Sequence, residues 1–81
     1  MPYQPIPCAQ HERLEFSVLR RIPLRIEYHD HGAVIRECAL PVDVATREGS
    51  EWLTLRRESG ELKEIRLDRI VDFHEQQGGC R

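Results

Sequence analysis

The sequence predicts a mainly β domain in which one N-terminal helix precedes a small antiparallel sheet that bends into a barrel. Apolar residues recur at helical spacing between positions 9 and 21, and four or five short segments after position 23 have the alternation or composition of strands. Tight turns separate those segments. Closing such a sheet hides edges that would otherwise invite aggregation, and we expect the helix to cap one open end.

The first eight residues are predicted to form an extended arm. Pro2, Pro5 and Pro7 fix backbone torsions and remove hydrogen-bond donors, so side chains have to hold this segment in place. Tyr3 and Ile6 are the available anchors.

The helix is predicted over residues 9–21. Leu14, Val18 and Ile22 recur at helical spacing, and Leu19 widens this apolar stripe. The helix is expected to end before Pro23, which cannot donate to a continuing helix.

Strands are predicted between residues 23 and 75. Residues 24–30 alternate apolar and polar side chains, and the turn that follows contains Gly32, which can adopt positive φ. The next segment starts at Ala33, and either its odd-numbered or its even-numbered residues could face the core. Pro41 limits it to an edge, a bulge or a strong bend. Three further strands are predicted over 51–57, 62–68 and 69–75, with a loop over 47–51, a tight turn over 58–61 and a mobile tail over 76–81.

The composition indicates a folded protein with one domain, spanning residues 9–75. The chain has 81 residues, of which 40% are hydrophobic and 32% charged, so its core can only be modest. No apolar run approaches the roughly 20 residues that span a bilayer, and the start lacks a secretory pattern. We therefore expect a cytoplasmic protein with no membrane association.

The three cysteines, Cys8, Cys38 and Cys80, are odd in number and irregularly spaced, so no self-contained disulfide framework accounts for all of them. We expect reduced thiols, with Cys38 packed in a strand. Cys8 and His11 have a spacing found in zinc sites, but a structural site needs four ligands, and a second pair at His29 and His31 would straddle a turn. No metal or cofactor is expected.

Catalysis has no support in the sequence. Cys8 could have His11 as a base, but nothing marks an oxyanion hole or a third orienting group. The carboxylates lie beside basic residues or turns, and the glycines form no phosphate-binding loop. We assign no catalytic residue.

Four segments of the chain form a recognisable set: "YQPIPC" at 3–8, "RLEF" at 13–16, "EWLTL" at 51–55 and "EIRLDRIVDF" at 64–73. In this order they resemble the Rof family, the bacterial Rho-specific inhibitors of transcription termination. The likeness runs from Tyr3 to about His74. The resemblance implies an Sm-like barrel with an N-terminal helix and no enzymatic activity. It also implies binding to the N-terminal RNA-binding domain of the hexameric Rho helicase, where the protein would block the primary RNA site.

The resemblance implies a partner-binding surface on the helix and on the loop before "EWLTL". Family members carry a cluster of acids after the cysteine, where this chain has Ala9, Gln10 and His11, so only Glu12 and Glu15 carry over as acids. The partner-binding residues expected here are His11, Glu12, Glu15, Arg47 and Glu48. The competing interpretation is that acids in a first helical turn merely stabilise the helix, and that Glu15 turns inward.

The leading hypothesis is thus a non-enzymatic Rho inhibitor that is monomeric when free. The alternative is an Sm-like module that binds single-stranded RNA, with Trp52 exposed beside Arg36 and Arg56 as the stacking platform. Direct nucleic-acid binding is not expected, because acids such as Glu37 interrupt the basic residues and the net charge is -2. A third interpretation is a small structural or assembly adaptor.

Overall fold

The computed structural model describes residues 8–79, without the side chain of Cys8. The predicted arm up to residue 7 and the last two residues of the predicted tail therefore lie outside the described residues. The elements run in the order α1 (Cys8–Arg20), β1 (Leu24–Asp30), β2 (Ala33–Arg47), β3 (Ser50–Arg56), β4 (Leu62–Arg66), a 3-10 turn (Leu67–Arg69) and β5 (Ile70–Glu75).

One face of α1 is buried. Leu14 and Ser17 are completely inaccessible and Val18 is half-buried. The prediction that Leu19 widens this stripe is wrong, since its side chain is 78% exposed. Five residues of helix turn through about 140° beyond one full revolution, so Leu19 points away from the side that carries Leu14. The buried hydroxyl of Ser17 has no hydrogen-bond partner in the described chain.

The C-terminus of α1 is closed by two backbone hydrogen bonds. The amide of Ile22 donates to the carbonyl of Ser17 at 2.9 Å, and the amide of Arg21 donates to that of Val18 at 3.3 Å. This pair of bonds is the Schellman arrangement, and it places Arg21 in the left-handed region with φ of 55°. The helix thus ends before Pro23, as predicted.

The five strands form one antiparallel sheet in the order β4-β3-β2-β1-β5. β1 and β2 are joined by a two-residue turn in which His31 and Gly32 have φ of 49° and 79°, as the sequence predicted for Gly32. Positive φ at both central residues is the geometry of a tight hairpin turn, because its twist matches that of the flanking strands.

β2 is longer than predicted, and its two parts pair with different strands. It pairs with β1 up to Ala39 and with β3 from Leu40, and the β2–β3 register shifts between Pro41 and Asp43. The predicted effect of Pro41 is confirmed as a bulge. The predicted loop over 47–51 is wrong, because a two-residue turn needs only Glu48 and Gly49, with φ of 51° and 78°.

The sheet is not closed, so the predicted barrel is not confirmed. Within residues 8–79, β4 and β5 form the two edges and do not pair with each other. α1 packs mainly against β2. The fold is therefore mainly β with one N-terminal helix, as predicted, and its core brings together the helix and the inner face of the sheet: Leu14, Leu24, Ile26, Tyr28, Ala39, Leu53, Leu55, Ile65, Leu67 and Phe73.

The first half of β2 turns its odd-numbered residues towards the core. Ala39 is buried and Ile35 packs against the core, whereas Val34 and Arg36 are exposed. This settles the choice that alternation alone left open.

Cys38 is half-buried and disulfide-bonded, so the expectation of a reduced thiol is wrong for this residue. Wide spacing along the chain says little about distance in the fold.

A polar network fastens the turn between β3 and β4 to the middle of the sheet. The buried Tyr28 hydroxyl donates to Glu37 Oε2 at 2.5 Å. Arg57 donates from Nε to Glu37 Oε1 at 2.9 Å and from Nη2 to the Tyr28 hydroxyl oxygen at 3.1 Å. Burial, and then the hydrogen bond to Glu37, raise the pKa of Tyr28.

A second polar contact joins α1 to β5. Arg13 donates two hydrogen bonds to the carboxylate of Glu75, from Nε at 3.0 Å and from Nη2 at 2.6 Å. Its guanidinium also lies 4.4 Å from the centre of the Phe73 ring. The first residue of the predicted tail is held nearby, since the amide of Gln76 donates to the carbonyl of Pro23 at 2.8 Å.

None of the described helices is long and apolar enough to cross a bilayer.

The Glu75 contact should make the stability of the fold depend on acidity. Hydrogen bonding to Arg13 lowers the pKa of Glu75 below its ordinary value. A carboxyl whose pKa is lower when folded stabilises the native state above its ordinary pKa, about 4.3, and this contribution is lost as the pH falls through the folded pKa. We expect Glu75→Gln to be less stable than the wild type at pH 7 and to lose less further stability on acidification. Urea unfolding at neutral and acidic pH measures both effects, and parallel pH profiles would contradict the assignment.

Candidate partner-binding surface

His11 joins the N-terminal half of α1 to the β2–β3 hairpin. Its Nδ1 is 2.7 Å from Glu15 Oε1 on the same helix, and its Nε2 is 2.5 Å from Glu51 Oε2 on β3. Glu51 pairs with Thr46, one residue pair before the turn that carries Glu48. The structure therefore brings the residues predicted on the helix near those predicted on the hairpin.

His11 is only partly exposed and links α1 to β3. Its side chain is 26% exposed, and both ring nitrogens face carboxylates. The ring can donate both hydrogen bonds only when each nitrogen carries a proton. Of the predicted partner-binding residues, His11 thus has a clear internal contact that positions Glu15.

Glu12 and Glu15 direct their carboxylates outward. Glu12 is exposed and makes no ion pair with any residue in the described range, and the Glu15 side chain is 58% exposed beside His11. The expectation that they lie in the first helical turn is wrong, because α1 starts at Cys8 and its first turn contains no acid. Since the helix dipole acts within the first turn, it gives these acids less of a structural role than the competing interpretation assumed.

Arg47 lies along the outer side of the sheet, at the end of β2. Its Nη2 donates to Glu64 Oε2 at 2.7 Å, and its guanidinium lies 4.9 Å from the centre of the Trp52 ring. Half of the Arg47 side chain, 51%, remains exposed. Glu48, also exposed, follows in the hairpin turn.

Trp52 is not placed as the RNA-binding alternative assumed. It is half-buried and its ring is covered by Arg47, which belongs to the neighbouring strand. Arg36 pairs instead with Glu27, with 3.1 Å between its Nε and Glu27 Oε1. Strand register decides these neighbours, and the sequence interpretation did not derive the register.

Two residues of this region were missed by the sequence interpretation. Glu51 and Glu64 complete the contacts of His11 and Arg47, across 40 and 17 positions of the chain respectively. The pairing of His11 with Glu15 could have been found, since residues four apart on a helix are neighbours. The two contacts between elements depend on how the chain folds back and had no local signal.

Comparison with known proteins gives both a family and a fold. A sequence model of the family described as "Modulator of Rho-dependent transcription termination (ROF)" matches residues 5–80. Proteins named "Protein rof" from Escherichia coli (strain K12) and Shigella flexneri are each 31% identical over 71 residues, which cover 88% of this chain and 80% of theirs. A solved structure of the proteasome accessory factor B/C (PafBC) of Arthrobacter aurescens superimposes with a TM-score of 0.75 at 14% identity, over 90% of this chain and 12% of that one. At such low identity this likeness shows a shared fold alone.

Proposed function

Because the chain belongs to the ROF family of modulators of Rho-dependent transcription termination, we propose that it is a non-enzymatic inhibitor that binds Rho itself. The contact is made with the N-terminal RNA-binding domain of Rho and blocks RNA at the primary site. In this proposal the protein acts in the cytoplasm, as a monomer when free.

The observation that carries the proposal is the outward direction of Glu12 and Glu15 on α1. A site that takes RNA phosphates has to be basic, so carboxylates on a rigid helix can occupy it by charge complementarity. Glu12 is available for this contact, since it makes no ion pair within residues 8–79. His11 holds Glu15 in a fixed position on the same helix.

The β2–β3 hairpin is proposed as the edge of the same contact. Glu48 extends the acidic surface, and Arg47 offers a partly exposed cation whose position is set by Glu64 and Trp52. Exposed charges at the rim of an interface mainly affect the rate of association and its salt dependence. We expect their contribution to be smaller than that of the helix.

We also infer that the sheet is an Sm-like arrangement. Strand β2 supports this, because it pairs with β1 up to Ala39 and with β3 from Leu40, and a bulge follows between Pro41 and Asp43, as is found where a sheet curls towards closure. The covered ring of Trp52 favours the Rho inhibitor over the alternative of an Sm-like RNA-binding module.

Direct titration separates these two functions. Purified Rho N-terminal domain and labelled single-stranded RNA are each titrated with the protein at two salt concentrations. Binding to Rho that weakens with salt, together with displacement of RNA, is the expected result. Tight RNA binding without Rho binding would overturn the proposal.

Charge reversal at Glu12 tests the contact residue by residue. We expect Glu12→Lys to weaken Rho binding by roughly threefold to tenfold, which is about 0.7 to 1.4 kcal/mol, while the melting temperature stays nearly unchanged. The matched control is Glu58→Lys, because Glu58 is also exposed but lies in the turn at the other end of β3. A large loss of stability with unaltered affinity of the folded fraction would assign Glu12 to the fold instead.

A further inference from the structure

The outward face of α1 carries apolar side chains next to its acids. Phe16 is 50% exposed and Leu19 78% exposed, and both are large hydrophobic residues. Glu15 and Phe16 lie three and four residues after Glu12, and Leu19 lies four and three residues after them. All four therefore share one side of the helix, here termed the outer helix face. Leaving two such side chains in water is unfavourable, and it indicates a surface that a partner covers.

The outer helix face borders a shallow groove between α1 and β2. The groove has a volume of about 380 Å³. Four apolar and two acidic residues line it: Glu15, Phe16, Val18, Leu19, Asp43 and Val44. Asp43 is exposed and has no ion-pair partner among the residues that the structure describes. The surface therefore offers apolar area and negative charge together.

The Phe16 ring is already placed beside a cation. The guanidinium of Arg20 lies 5.3 Å from the centre of the ring, on the same helix. Such a contact is favourable because the face of an aromatic ring attracts positive charge. A cation of a basic partner can make the same contact with the Phe16 ring. Phe16 and the acids around it therefore both favour a positively charged partner surface.

A site for single-stranded nucleic acid has the complementary chemistry. It combines cations that hold the phosphates with aromatic side chains on which the bases stack. The outer helix face presents the corresponding combination of carboxylates and apolar groups. We propose that it imitates single-stranded RNA on Rho, with Glu12 and Glu15 on the phosphate-binding cations and with Phe16 and Leu19 on the base-stacking side chains.

This inference rests on the proposed binding of Rho, and it adds a salt-independent part to that contact. Attraction between exposed charges weakens as salt screens them, whereas burial of apolar surface persists. A second copy of the chain fits the outer helix face less well, because the acids of two such faces would then oppose each other across a symmetric interface.

The test compares two double variants of the full chain with the wild type. F16S/L19S removes the apolar part of the outer helix face. L62S/V71S is the matched control, since Leu62 and Val71 are 58% and 49% exposed on the edge strands β4 and β5. Circular dichroism melting checks that each variant is folded, and binding to purified Rho is measured by calorimetry at low and at high ionic strength.

We expect F16S/L19S to bind Rho about tenfold more weakly at both ionic strengths and to displace labelled RNA less well, while L62S/V71S binds like the wild type. The loss caused by Glu12→Lys should instead shrink at high ionic strength. Wild-type affinity of F16S/L19S would overturn the inference but leave the proposed function in place. Failure of the wild type to bind Rho would overturn both. Self-association that only F16S/L19S abolishes, with Rho binding intact, would identify a dimer interface and also overturn the inference.

Discussion

Replacing Leu14 with alanine is expected to lower the free energy of unfolding by about 3 kcal/mol, within the usual range for a buried leucine. Leu14 is completely inaccessible and is the α1 residue of the core cluster, where it meets side chains from the sheet. The substitution removes apolar contacts and leaves a cavity that close-packed neighbours fill only in part. In a domain of this size such a loss is a large share of the total stability.

The same helix provides the control for this prediction. Leu19→Ala removes the same atoms from a side chain that is 78% exposed, and it should change the free energy of unfolding by less than about 0.5 kcal/mol. Urea unfolding monitored by circular dichroism measures both variants. Equal losses at the two positions would mean that the rotation of α1 about its axis is not the one described.

Replacing Glu37 with glutamine is expected to cost about 2 kcal/mol, the second largest effect on stability. The carboxylate accepts hydrogen bonds from Tyr28 and Arg57, and its side chain is only 18% exposed. Glutamine keeps the shape but brings an amide NH2 group, which cannot accept from either donor. The hydroxyl of Tyr28, in a buried side chain, or the guanidinium of Arg57 then loses its acceptor.

Glu27 is the matched control, because it is also a strand glutamate paired with an arginine. Its partner Arg36 is 75% exposed, and the single contact measures 3.1 Å. Exposed ion pairs contribute little, so Glu27→Gln should cost less than about 1 kcal/mol. Thermal and urea unfolding of both variants decide the matter. If Glu27→Gln lowered the free energy of unfolding as much as Glu37→Gln, the network of Tyr28, Glu37 and Arg57 would stabilise the fold no more than an exposed ion pair does.

Local patterns were enough to predict most elements of the fold. Alternation identified β1, and the strands predicted over 51–57 and 62–68 contain β3 and β4 with the buried Leu53, Leu55 and Ile65. Two-residue turns fix the register of their hairpins, and Gly32 marked one of them. Closure of the sheet depends on contacts between its two edges, which lie far apart in the chain, and no local pattern reports them.

The candidate surface was predictable only in part, for the same physical reason. The outward direction of Glu12 follows from helical spacing once Leu14 is placed in the core. The exposure of Leu19 could also have been derived from its helical spacing relative to Leu14, but the prediction of burial rested only on the hydrophobic side chain of Leu19. The contacts of His11 with Glu51 and of Arg47 with Glu64 depend on where β3 and β4 lie relative to α1 and β2, so the sequence did not reveal them.

Two nearly adjacent residues of α1 contact strands that are well separated in the strand order of the sheet. His11 contacts β3, whereas Arg13 contacts β5, and two strands lie between these attachments. These two contacts together prevent α1 from rotating about its own axis. The direction in which Glu12 points is therefore set before any partner arrives, and association loses little conformational entropy in ordering the helix. Removing either attachment should slow association more than it changes the chemistry of the contact.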